Sequence, residues 1–585
     1  MLFFDFEVFK YDWLVVAIDP VNQKEYVVVN NKVELEKVYK QYKRDIWVGF
    51  NCRDYDQYIL KGLLCGFDPK RISDFIIKEK HKGWEFSSLF HRVPINLFDV
   101  MPNPPVSLKT LEGFMGKSIH ETSVPFDIDR KLTRDEIEET IKYCRFDVLN
   151  TIEVFIRRKG EFDAQMDLLK AFGLPLSNIG KTQAQLAAVI LDAKKQNFND
   201  EWNIRVPDNL QLGKYQFVAD WFLDKANHRY ECWVTNSRGR QKKEKVHLDC
   251  MVAGLPHTFA WGGVHGGDKV IVECADDEVI FDVDAGQLYP NIMRHYGLLS
   301  RAARKPEMLD FVLDTSMRLK AEGKKKEREP YKRQCNIFYG AEGDSTNALY
   351  DPLHRNLVCV FGQLFILDLI EKIEDIVYLF NSNTDGIFFK VKKKDVGELN
   401  RRIAIWEERT KLKMEYAEYT KFTSKDVNNY LAVKTNGEIH AKGAYVKDLN
   451  DLDYDLPIVN EALRNYLIFG TPVEITIGAC MDMRKFQKIV KLSDKYKWVE
   501  HENEYGNKRY DNKSYRVFAS NRKGDGRILK CDGVRNPAKF GNTSDRCFIV
   551  NDNIEGQSTN GFPQLDREWY VTLAKERLRQ FGFDC

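Results

Sequence analysis

Several features that would identify a class of protein are missing from this sequence. None of the twelve cysteines forms a CxxC pair or stands at zinc-finger spacing from a histidine, so neither a disulfide framework nor a structural zinc is indicated. The apolar runs, such as residues 376–380, are far shorter than the ~18 uncharged residues of a membrane span. The amino-terminal residues carry acids and no basic stretch, unlike a secretory signal. We therefore expect a soluble, cytoplasmic protein with no membrane partner.

The chain also has little net charge, formally +2 at pH 7, so its overall balance does not indicate a nucleic-acid partner. The charges are unevenly spread, because residues 484–539 hold 16 Lys and Arg against 7 Asp and Glu. One interpretation of this basic region is a solvated surface, the usual fate of a charge run. The aromatic residues and Asn/Gly-rich turns interleaved with the charges favour a second interpretation, a thumb-like element that contacts duplex phosphates.

The composition provides core material for several domains. The 585 residues, 43% of them hydrophobic, exceed the roughly 250 to 300 that one core supports. Over the first ~165 residues, strand-like runs alternate with helical patterns such as residues 137–156, which is typical of an α/β domain. A mixed stretch follows at 166–250, with a helical run at 183–193 and a basic turn at 238–245. We find no internal repeat or low-complexity tract.

Two acids near the amino terminus share one face of a predicted strand. Asp5 and Glu7 alternate with phenylalanines, so an extended chain directs both carboxylates to the same side, where one divalent ion can bridge them. The alternative is the solvent face of an edge strand. Two further segments favour the first interpretation, because Asp56 follows an apolar strand, and Tyr143 and Asp147 are four residues apart on one face of a predicted helix.

In their order along the chain, these segments resemble the DxE, Nx3(F/Y)D and Yx3D motifs of the DEDDy 3′→5′ exonucleases. Ser107-Leu108 resembles the Ser/Thr-Leu element of the polymerase-linked members. The resemblance implies an RNase H-like domain that cleaves phosphodiesters with two ions of Mg²⁺, or alternatively Mn²⁺, held by carboxylates, and in which Tyr143 orients the attacking water. By the same resemblance the metal ligands are Asp5, Glu7, Asp56 and Asp147, and the single-stranded DNA contacts are Asn51, Ser107 and Leu108. Asp54 and Asp99 are then expected to be surface or turn acids.

A second set of chemical groups lies mid-chain, in three segments. In the first, Asp284 ends an apolar strand shortly before Tyr289. In the second, a helical pattern places a cation, an amide and a ring on one face, at i, i+4 and i+7. In the third, an Asp-Gly turn joins two apolar strands. Ordinary acidic turns also explain the first and third segments, whereas an amphipathic helix does not by itself require the three groups of the second. The second and third segments contribute Lys332, Asn336, Tyr339 and Asp385.

The three segments, in this order, resemble motifs A, B and C of the family B DNA polymerases. Residues 332–340 match the Kx3NxxYG motif B at every specified position, and residues 288–290 match the end of motif A, DxxSLYP. Two departures are visible. Gln287 stands where motif A usually has serine, and Asn383 replaces the first aspartate of the YxDTDS motif C. The two acids that the resemblance makes metal ligands are intact, namely Asp284 and Asp385.

The resemblance implies nucleotidyl transfer with two Mg²⁺ ions at Asp284 and Asp385. It implies that Tyr289 stacks under the sugar and excludes a 2′-hydroxyl, and that Lys332 grips the triphosphate. Pro330 is expected to open the motif B helix. The nucleotide contacts implied are Tyr289, Lys332, Asn336 and Tyr339, with Arg328, Arg318 and Lys320 as further phosphate candidates. Tyr430 stands where a KxY primer-contact motif would fall, with Asn428 in place of its lysine. Lys442 could substitute for that cation, but an ordinary surface lysine is the favoured interpretation.

The predicted fold class is α/β and α+β multidomain, an RNase H-like exonuclease domain followed by a right-hand polymerase. The predicted boundaries are 1–165 for the exonuclease domain, 166–250 for a connecting region, 251–295 and 343–445 for the palm, 296–342 for the fingers, and 446–585 for the thumb and carboxyl-terminal region.

The predicted function is extension of a primer 3′ end with dNTPs, with intrinsic proofreading, by a monomer acting on primer–template DNA. Only 41 residues separate Pro290 from Lys332, which leaves little room for a protein-priming insertion. The compact length favours a phage or mobile-element replicase that works with phage replication proteins in the host cytoplasm. One alternative is a dedicated 3′→5′ exonuclease whose second half only binds DNA. Another is a non-catalytic replication scaffold, which would tolerate loss of Asp284 or Asp385.

Overall fold

The computed structural model describes residues 1–235, 239 and 241–584, and the chain forms two compact units. Unit 1 consists of Met1–Gly180, Leu449–Val459 and Glu474–Leu573. Unit 2 consists of Lys181–Asp448, Asn460–Val473 and the residues from Ala574 onward. Both units mix helices with sheets, so this is an α/β multidomain protein. Within the described ranges, no helix combines the length and the apolar character needed to cross a membrane.

The strands are, in chain order, β1 (Leu2–Val8), β2 (Trp13–Asp19), β3 (Lys24–Val29), β4 (Ile46–Gly49), β5 (Asn96–Asp99), β6 (Glu231–Thr235), β7 (Gln241–Lys245), β8 (His247–Val252), β9 (Leu255–Ala260), β10 (Gly263–Gly267), β11 (Val270–Glu273), β12 (Glu278–Ala285), β13 (Val377–Ser382), β14 (Gly386–Lys392), β15 (Met414–Asp426), β16 (Asn429–Lys434), β17 (Ile439–Lys442), β18 (Lys488–Lys491), β19 (Trp498–Asn503), β20 (Lys508–Tyr510), β21 (Ser514–Ala519), β22 (Asp525–Cys531), β23 (Ala538–Lys539) and β24 (Cys547–Ile549).

The α-helices are α1 (Lys32–Tyr42), α2 (Asp56–Cys65), α3 (Pro69–Ile77), α4 (Leu108–Phe114), α5 (Arg134–Arg157), α6 (Lys159–Ala171), α7 (Gln183–Ile190), α8 (Gln216–Leu223), α9 (Leu288–Tyr296), α10 (Glu307–Ala321), α11 (Lys325–Glu342), α12 (Pro352–Ile373), α13 (Val396–Thr410), α14 (Pro457–Phe469), α15 (Val473–Ala479) and α16 (Arg567–Gln580). Short 3₁₀ helices lie at Gly83–Glu85, Ser88–Arg92, Leu176–Asn178, Lys225–Asn227, Lys393–Asp395, Met483–Phe486 and Thr559–Gly561.

The amino-terminal part of unit 1 is built on a five-stranded sheet in the order β3-β2-β1-β4-β5. β1, β2 and β3 are antiparallel neighbours, whereas β4 pairs with β1 and β5 with β4 in parallel. The pleat of β1 sends Phe4 into the hydrophobic core on one face, while Phe3 packs on Phe155 of α5 on the other, with ring centroids 5.3 Å apart. Because the pleat has a period of two, Asp5 and Glu7 lie on the face that α5 covers.

The carboxyl-terminal part of unit 1 contains two smaller sheets, in the orders β18-β21-β24 and β20-β19-β22-β23. Their strands share a hydrophobic cluster that includes Val499, Tyr515 and Ile528. β18 and β21 pack on α4 of the amino-terminal part. Ile489 of β18 lies so close to Gly113 of α4 that a Cβ at residue 113 would be 2.8 Å from the Ile489 Cδ1 atom. The basic region predicted from the sequence therefore belongs to the same compact unit as the first 180 residues.

Unit 2 is built on a ten-stranded sheet, whose main path runs β17-β16-β15-β12-β14-β13-β10-β9-β8, with β11 paired to β15. Its helix α12 has 18 buried residues among its 22, and a helix that is apolar nearly all round belongs in a core. α9 and α11 both pack against α12. β6 and β7 form a separate two-stranded sheet.

Several sequence-predicted elements differ from the observed ones in detail. The predicted helix at 137–156 is confirmed as α5, whereas the helical run at 183–193 ends at Ile190. The prediction that Pro330 opens the motif B helix is wrong, because α11 begins at Lys325 and contains Pro330. The preceding Lys, Glu and Arg residues are good helix formers, and they start the helix despite the proline. In the predicted basic turn, Arg238 and Arg240 lie outside the described residues, and Gln241–Lys245 forms β7.

Candidate functional site

Four acids from three elements converge in unit 1, and we call them the amino-terminal carboxylate site. Asp5 and Glu7 come from the central strand β1, Asp56 is the first residue of α2, and Asp147 lies on α5. The backbone N–H of Phe6 donates to Asp56 Oδ1 at 3.2 Å, which fixes the start of α2 beside β1. Glu7, Asp56 and Asp147 are buried.

The electrostatics of the amino-terminal carboxylate site favour cation binding. Burial raises the pKa of Asp5 well above its usual range, and the charges of Asp56, Glu7 and Asp147 raise it further. Burial raises the pKa of Glu7, and the charges of Asp147 and Asp56 raise it further. Burial raises the pKa of Asp56 to about 7. Burial also raises the pKa of Asp147. Carboxylates held together out of water are destabilised as anions, and a bound divalent ion removes that cost.

The donor atoms of this site fit a hard divalent ion such as Mg²⁺, because they are carboxylate oxygens. The buried thiol of Cys144 on α5 lies beside them, with its Sγ atom 3.3 Å from the Asp5 carbonyl oxygen and 3.6 Å from Asp5 Oδ2. Ligand atoms of Asp5, Glu7 and Cys144 all lie within 4.8 Å of one another. Hydrogen bonding by the thiol helps to hold the Asp5 side chain in place.

Lys109 of α4 is a member of this site that the sequence motifs did not identify. Its Nζ atom is 2.5 Å from Asp147 Oδ1 and 3.0 Å from Glu112 Oε1. The same ammonium group lies 4.7 Å from the ring centroid of Tyr143. Asn150 donates to Glu112 Oε1 at 3.0 Å, so a buried polar network extends from Asp147 through Lys109 to Asn150. Lys109 occupies an unspecified position of the Ser-Leu element, which is why the motif gave no signal for it.

The other residues predicted for this site occupy its surroundings. Tyr143 is half-buried one turn before Asp147 on α5, and burial and the charge of Asp147 raise the pKa of its hydroxyl. Asn51 adopts a left-handed backbone conformation, φ 57°, and its N–H donates to Asp99 Oδ1 at 2.9 Å. Asp99, the last residue of β5, also accepts from the backbone N–H groups of Arg53 and Met101, so it fixes the loop that leads to Asp56. Ser107 is the N-cap residue of α4, and Leu108 is buried at its first position.

The central carboxylate site, Asp284 and Asp385, lies on neighbouring strands of the unit 2 sheet. Asp284 of β12 is opposite Gly386 of β14, so the turn residue Asp385 lies beside it. The backbone N–H of Ala285 donates to the Asp385 carbonyl oxygen at 2.7 Å, which ties the two strand ends together. Asn383, which replaces the first aspartate of motif C, opens this turn, and its N–H donates to the Gly386 carbonyl oxygen at 2.8 Å.

Two further acids flank the central pair. Asp282 lies two residues before Asp284 on β12, and Glu415 of β15 is directly opposite Asp284 in the ladder. Loss of surrounding water raises the pKa of Asp284 to about 8, with added contributions from Asp385, Asp282 and Glu415. Desolvation and Asp385 raise the pKa of Asp282 to about 7. The sequence motifs gave no signal for Glu415, because its position depends on the pairing of β12 with β15. These carboxylate oxygens are also suitable ligands for Mg²⁺.

Helices supply the remaining groups predicted for the central site. Tyr289 of α9 and Tyr339 of α11 are in contact, with ring centroids 4.2 Å apart. Gly362 of α12 makes room for this pair, since a Cβ there would lie 3.0 Å from the Tyr289 ring. On α11, Arg328, Lys332, Asn336 and Tyr339 follow at spacings of four, four and three residues, which places them along one face.

Two residues of this region connect helices to the sheet. Lys320, at the end of α10, forms an ion pair with Glu415 beside Asp284. Gln287 adopts a left-handed conformation, φ 55°, at the junction of β12 and α9, and its amide donates to the Ser316 hydroxyl at 2.9 Å. The Arg328 guanidinium contacts the same hydroxyl at 3.3 Å. Arg318, by contrast, pairs with Glu322 on its own helix.

Tyr430 and Lys442 are direct partners in the β16–β17 ladder. The Tyr430 ring is buried and stacks on Phe422 with centroids 5.1 Å apart, and the Lys442 Nζ atom lies 6.0 Å from its centroid. Asn428 lies in the exposed turn before β16. The structure thus pairs Tyr430 with Lys442 as the neighbouring cation.

No family model matches this chain, and no curated protein matches it. Among solved structures, the chain is similar to that of the family B DNA polymerase from the hyperthermophilic archaeon Pyrobaculum calidifontis, with 12% sequence identity and a TM-score of 0.40. The similarity covers 99% of this chain and 77% of that chain. At 12% identity and a TM-score of 0.40, this similarity does not assign a role to any residue of the chain.

Proposed function

We propose that the protein is a template-directed DNA polymerase with an intrinsic 3′→5′ exonuclease. Synthesis takes place at the central carboxylate site, and digestion at the amino-terminal carboxylate site. The observation that carries the proposal is the register of β12 and β14, which brings the acids of two separate sequence motifs, Asp284 and Asp385, to adjoining positions. The contact between Tyr289 and Tyr339 supports it, because it joins the helix after motif A to the motif B helix.

At the central site, bound Mg²⁺ ions would lower the pKa of the primer 3′-hydroxyl and neutralise the triphosphate. The protein's own residues bind and orient the nucleotide. Lys332 and Arg328, one turn apart on α11, present cations to the triphosphate. Tyr289, fixed between Tyr339 and α12, lies under the sugar and excludes a 2′-hydroxyl. Lys320, paired with Glu415 in this structure, exchanges that carboxylate for a phosphate when a nucleotide binds.

At the amino-terminal site, the four carboxylates would hold two Mg²⁺ ions, which would lower the pKa of the attacking water and stabilise the departing 3′-oxygen. Tyr143 orients the attacking water, and Lys109 holds Asp147 in its ligating position. Asn51, Ser107 and Leu108 contact the single-stranded 3′ end. The strand order 3-2-1-4-5 supports an RNase H-like fold for this part of unit 1, and the antiparallel sheet of unit 2 supports a polymerase palm. The single helix α10 between α9 and α11 leaves little room for a protein-priming insertion, which supports ordinary primer use.

The experiment that tests the proposal is primer extension with dNTPs and Mg²⁺, together with digestion of a labelled single strand. Asp284→Ala is expected to lower extension by about a thousandfold, because removing a metal ligand costs several kcal/mol of transition-state stabilisation, and to spare digestion. Asp5→Ala is expected to do the reverse. Asp249→Ala, which changes an exposed acid on β8, is the matched control and should alter neither activity.

The outcomes distinguish the proposal from its alternatives. A wild type that only digests would identify a dedicated exonuclease whose second half binds DNA. A wild type with neither activity, in the presence of Mg²⁺ or Mn²⁺, would identify a non-catalytic replication scaffold. Loss of both activities in Asp284→Ala would indicate damage to the fold rather than to one site, and thermal unfolding of the variant would reveal it.

A further inference from the structure

The hairpin formed by β6 and β7 has one face that the rest of unit 2 leaves exposed. Its register pairs Trp233 with Lys243 and Glu231 with Lys245, so these four side chains share a face. Trp233 is 64% exposed, and the Lys243 Nζ atom lies 5.7 Å from its ring centroid. Residues that alternate with them, such as Cys232, are half-buried. This face of the hairpin therefore leaves the indole in water.

An exposed indole beside lysines suits a nucleic-acid strand with unpaired bases. A base stacks on the indole, and the neighbouring ammonium groups neutralise adjacent phosphates. Lys243 is also 3.2 Å from Glu231, but both partners of this ion pair are more than half exposed. Such a pair contributes little and is readily exchanged for a phosphate. A DNA duplex offers no free base face along its length, so single-stranded DNA is the form that uses both the ring and the charges.

The hairpin leads into the sheet that carries the central carboxylate site, within the same compact unit. β7 leads directly into β8, the edge strand of the sheet that carries that site, and β8 and β9 adjoin β10.

We propose that this face of the hairpin, Trp233 with Lys243 and Lys245, binds the unpaired template strand. The choice of strand rests on the proposed function, because the template is the unpaired strand of a primer–template at the point of nucleotide addition. Trp233 stacks on one template base, and the two lysines contact the flanking phosphates. The hairpin thus holds the single-stranded template beside β8, at the edge of the sheet that carries Asp385.

The test is fluorescence anisotropy with the full chain and labelled primer–templates, without divalent metal so that no strand is degraded. One substrate has a template overhang of about twelve nucleotides, within the range of single-strand binding sites, and the other has a one-nucleotide overhang.

Trp233→Ala is expected to weaken binding of the long-overhang substrate about tenfold, which is the effect of losing one stacked base. Binding of the short-overhang substrate should be unchanged. Trp233→Phe, which keeps a stacking ring, should retain most of the affinity. Lys243→Ala should lower the slope of log affinity against log salt by about 0.7 on the long overhang.

Trp84→Ala is the matched control, since this tryptophan of unit 1 is 63% exposed and lies far from β6 in sequence. It should change neither affinity. Equal losses on both substrates would show a duplex contact and overturn the proposal, as would unchanged affinity in Trp233→Ala. Extension of the short-overhang primer by the wild type tests the polymerase assignment separately. If the overhang-dependent loss is observed but no extension occurs, the hairpin site stands and the polymerase assignment fails.

Discussion

Lys109 provides a fixed positive charge within the amino-terminal carboxylate site. Burial alone would lower the pKa of Lys109, but Asp147 and Glu112 raise it by more, so the side chain remains an ammonium ion. A cation held there offsets part of the repulsion among the carboxylates and restricts the Asp147 side chain to one orientation. Groups that orient a metal ligand affect metal binding nearly as strongly as the ligands themselves.

Lys109→Ala is therefore expected to slow digestion of a labelled single strand by about 10- to 100-fold and to raise the Mg²⁺ concentration needed for half-maximal rate. Primer extension should be unchanged. Lys488→Ala is the matched control, because Lys488 is also a largely buried lysine of unit 1 in an ion pair, with Asp455. A Lys109→Ala protein that digests DNA at the wild-type rate with the wild-type Mg²⁺ dependence would contradict this role.

The sequence identifies some residues of the two carboxylate sites and misses others. Asp5 and Asp284 could be proposed from sequence because short motifs with fixed spacing surround them. Glu415 could not, since its place opposite Asp284 depends on which residue of β15 pairs with β12 across more than a hundred positions of chain. The same holds for Lys109, whose partner Asp147 comes from a different helix. Short-range spacing predicts the groups on one element, and tertiary pairing decides which elements meet.

At the scale of elements, α4 depends on a buried arginine from the carboxyl-terminal sheets. Arg516 of β21 is fully buried, and its guanidinium donates to the Gly113 carbonyl oxygen at 3.2 Å and to the Lys117 carbonyl oxygen at 2.6 Å, at and just beyond the end of α4. It also donates to Asp552 O and to Gln487 Oε1. Burial lowers the pKa of Arg516 to about 10, so it stays charged at neutral pH. A cation at a helix carboxyl terminus stabilises the helix dipole and its unpaired carbonyls.

We predict that Arg516→Met lowers the free energy of unfolding of unit 1 by about 3 kcal/mol or more, because several buried carbonyl groups lose their donor. Digestion should fall more than extension, since α4 also carries Lys109. Urea unfolding monitored by circular dichroism measures the first effect, and the two activity assays measure the second. Arg527→Ala, which removes an exposed arginine paired with Glu502, should change stability by less than about 0.5 kcal/mol. Equal stability of the Arg516 and Arg527 variants would refute the prediction.

The elements themselves were predictable to different degrees. α5 was predicted to within three residues of its ends, because its apolar positions recur at helical spacing. The prediction did not use the capping box of Thr133 and Glu136, which marks the true start of the helix. The start of α11 was not, because Pro330 is a strong helix-breaking signal that the tertiary context of this helix overrides. The aromatic and basic residues of 484–539 indicated a nucleic-acid contact, but nothing in their spacing could reveal that β18 and β21 pack on α4.

At the scale of the whole molecule, unit 1 is discontinuous in sequence. Residues 474–573, which the sequence analysis assigned to a thumb, form one compact unit with residues 1–180. The contacts that join them are specific. Ile489 packs on Gly113, Gln487 donates to the Phe114 carbonyl oxygen at 3.1 Å, and Arg516 holds the end of α4. The amino-terminal carboxylate site therefore depends on chain segments separated by more than 300 residues.

A fragment ending at residue 180 is consequently expected to be an incomplete domain, although it carries all four acids of the amino-terminal carboxylate site. Without Ile489, Gln487 and Arg516, the face of α4 that packs on β18 and β21 is exposed to water. The carbonyl groups at the end of α4 also lose their hydrogen-bond donors. We expect the fragment to melt about 10 °C below unit 1 of the intact chain, since a loss of about 3 kcal/mol shifts a domain of this size by that amount. Differential scanning calorimetry of both proteins measures this shift, and limited proteolysis should cut the fragment first near α4.

Adding back residues 449–585 as a separate polypeptide should restore the protection of α4 from proteolysis. A fragment that melts with the intact unit and digests DNA at the same rate would show that the amino-terminal domain folds without the carboxyl-terminal sheets.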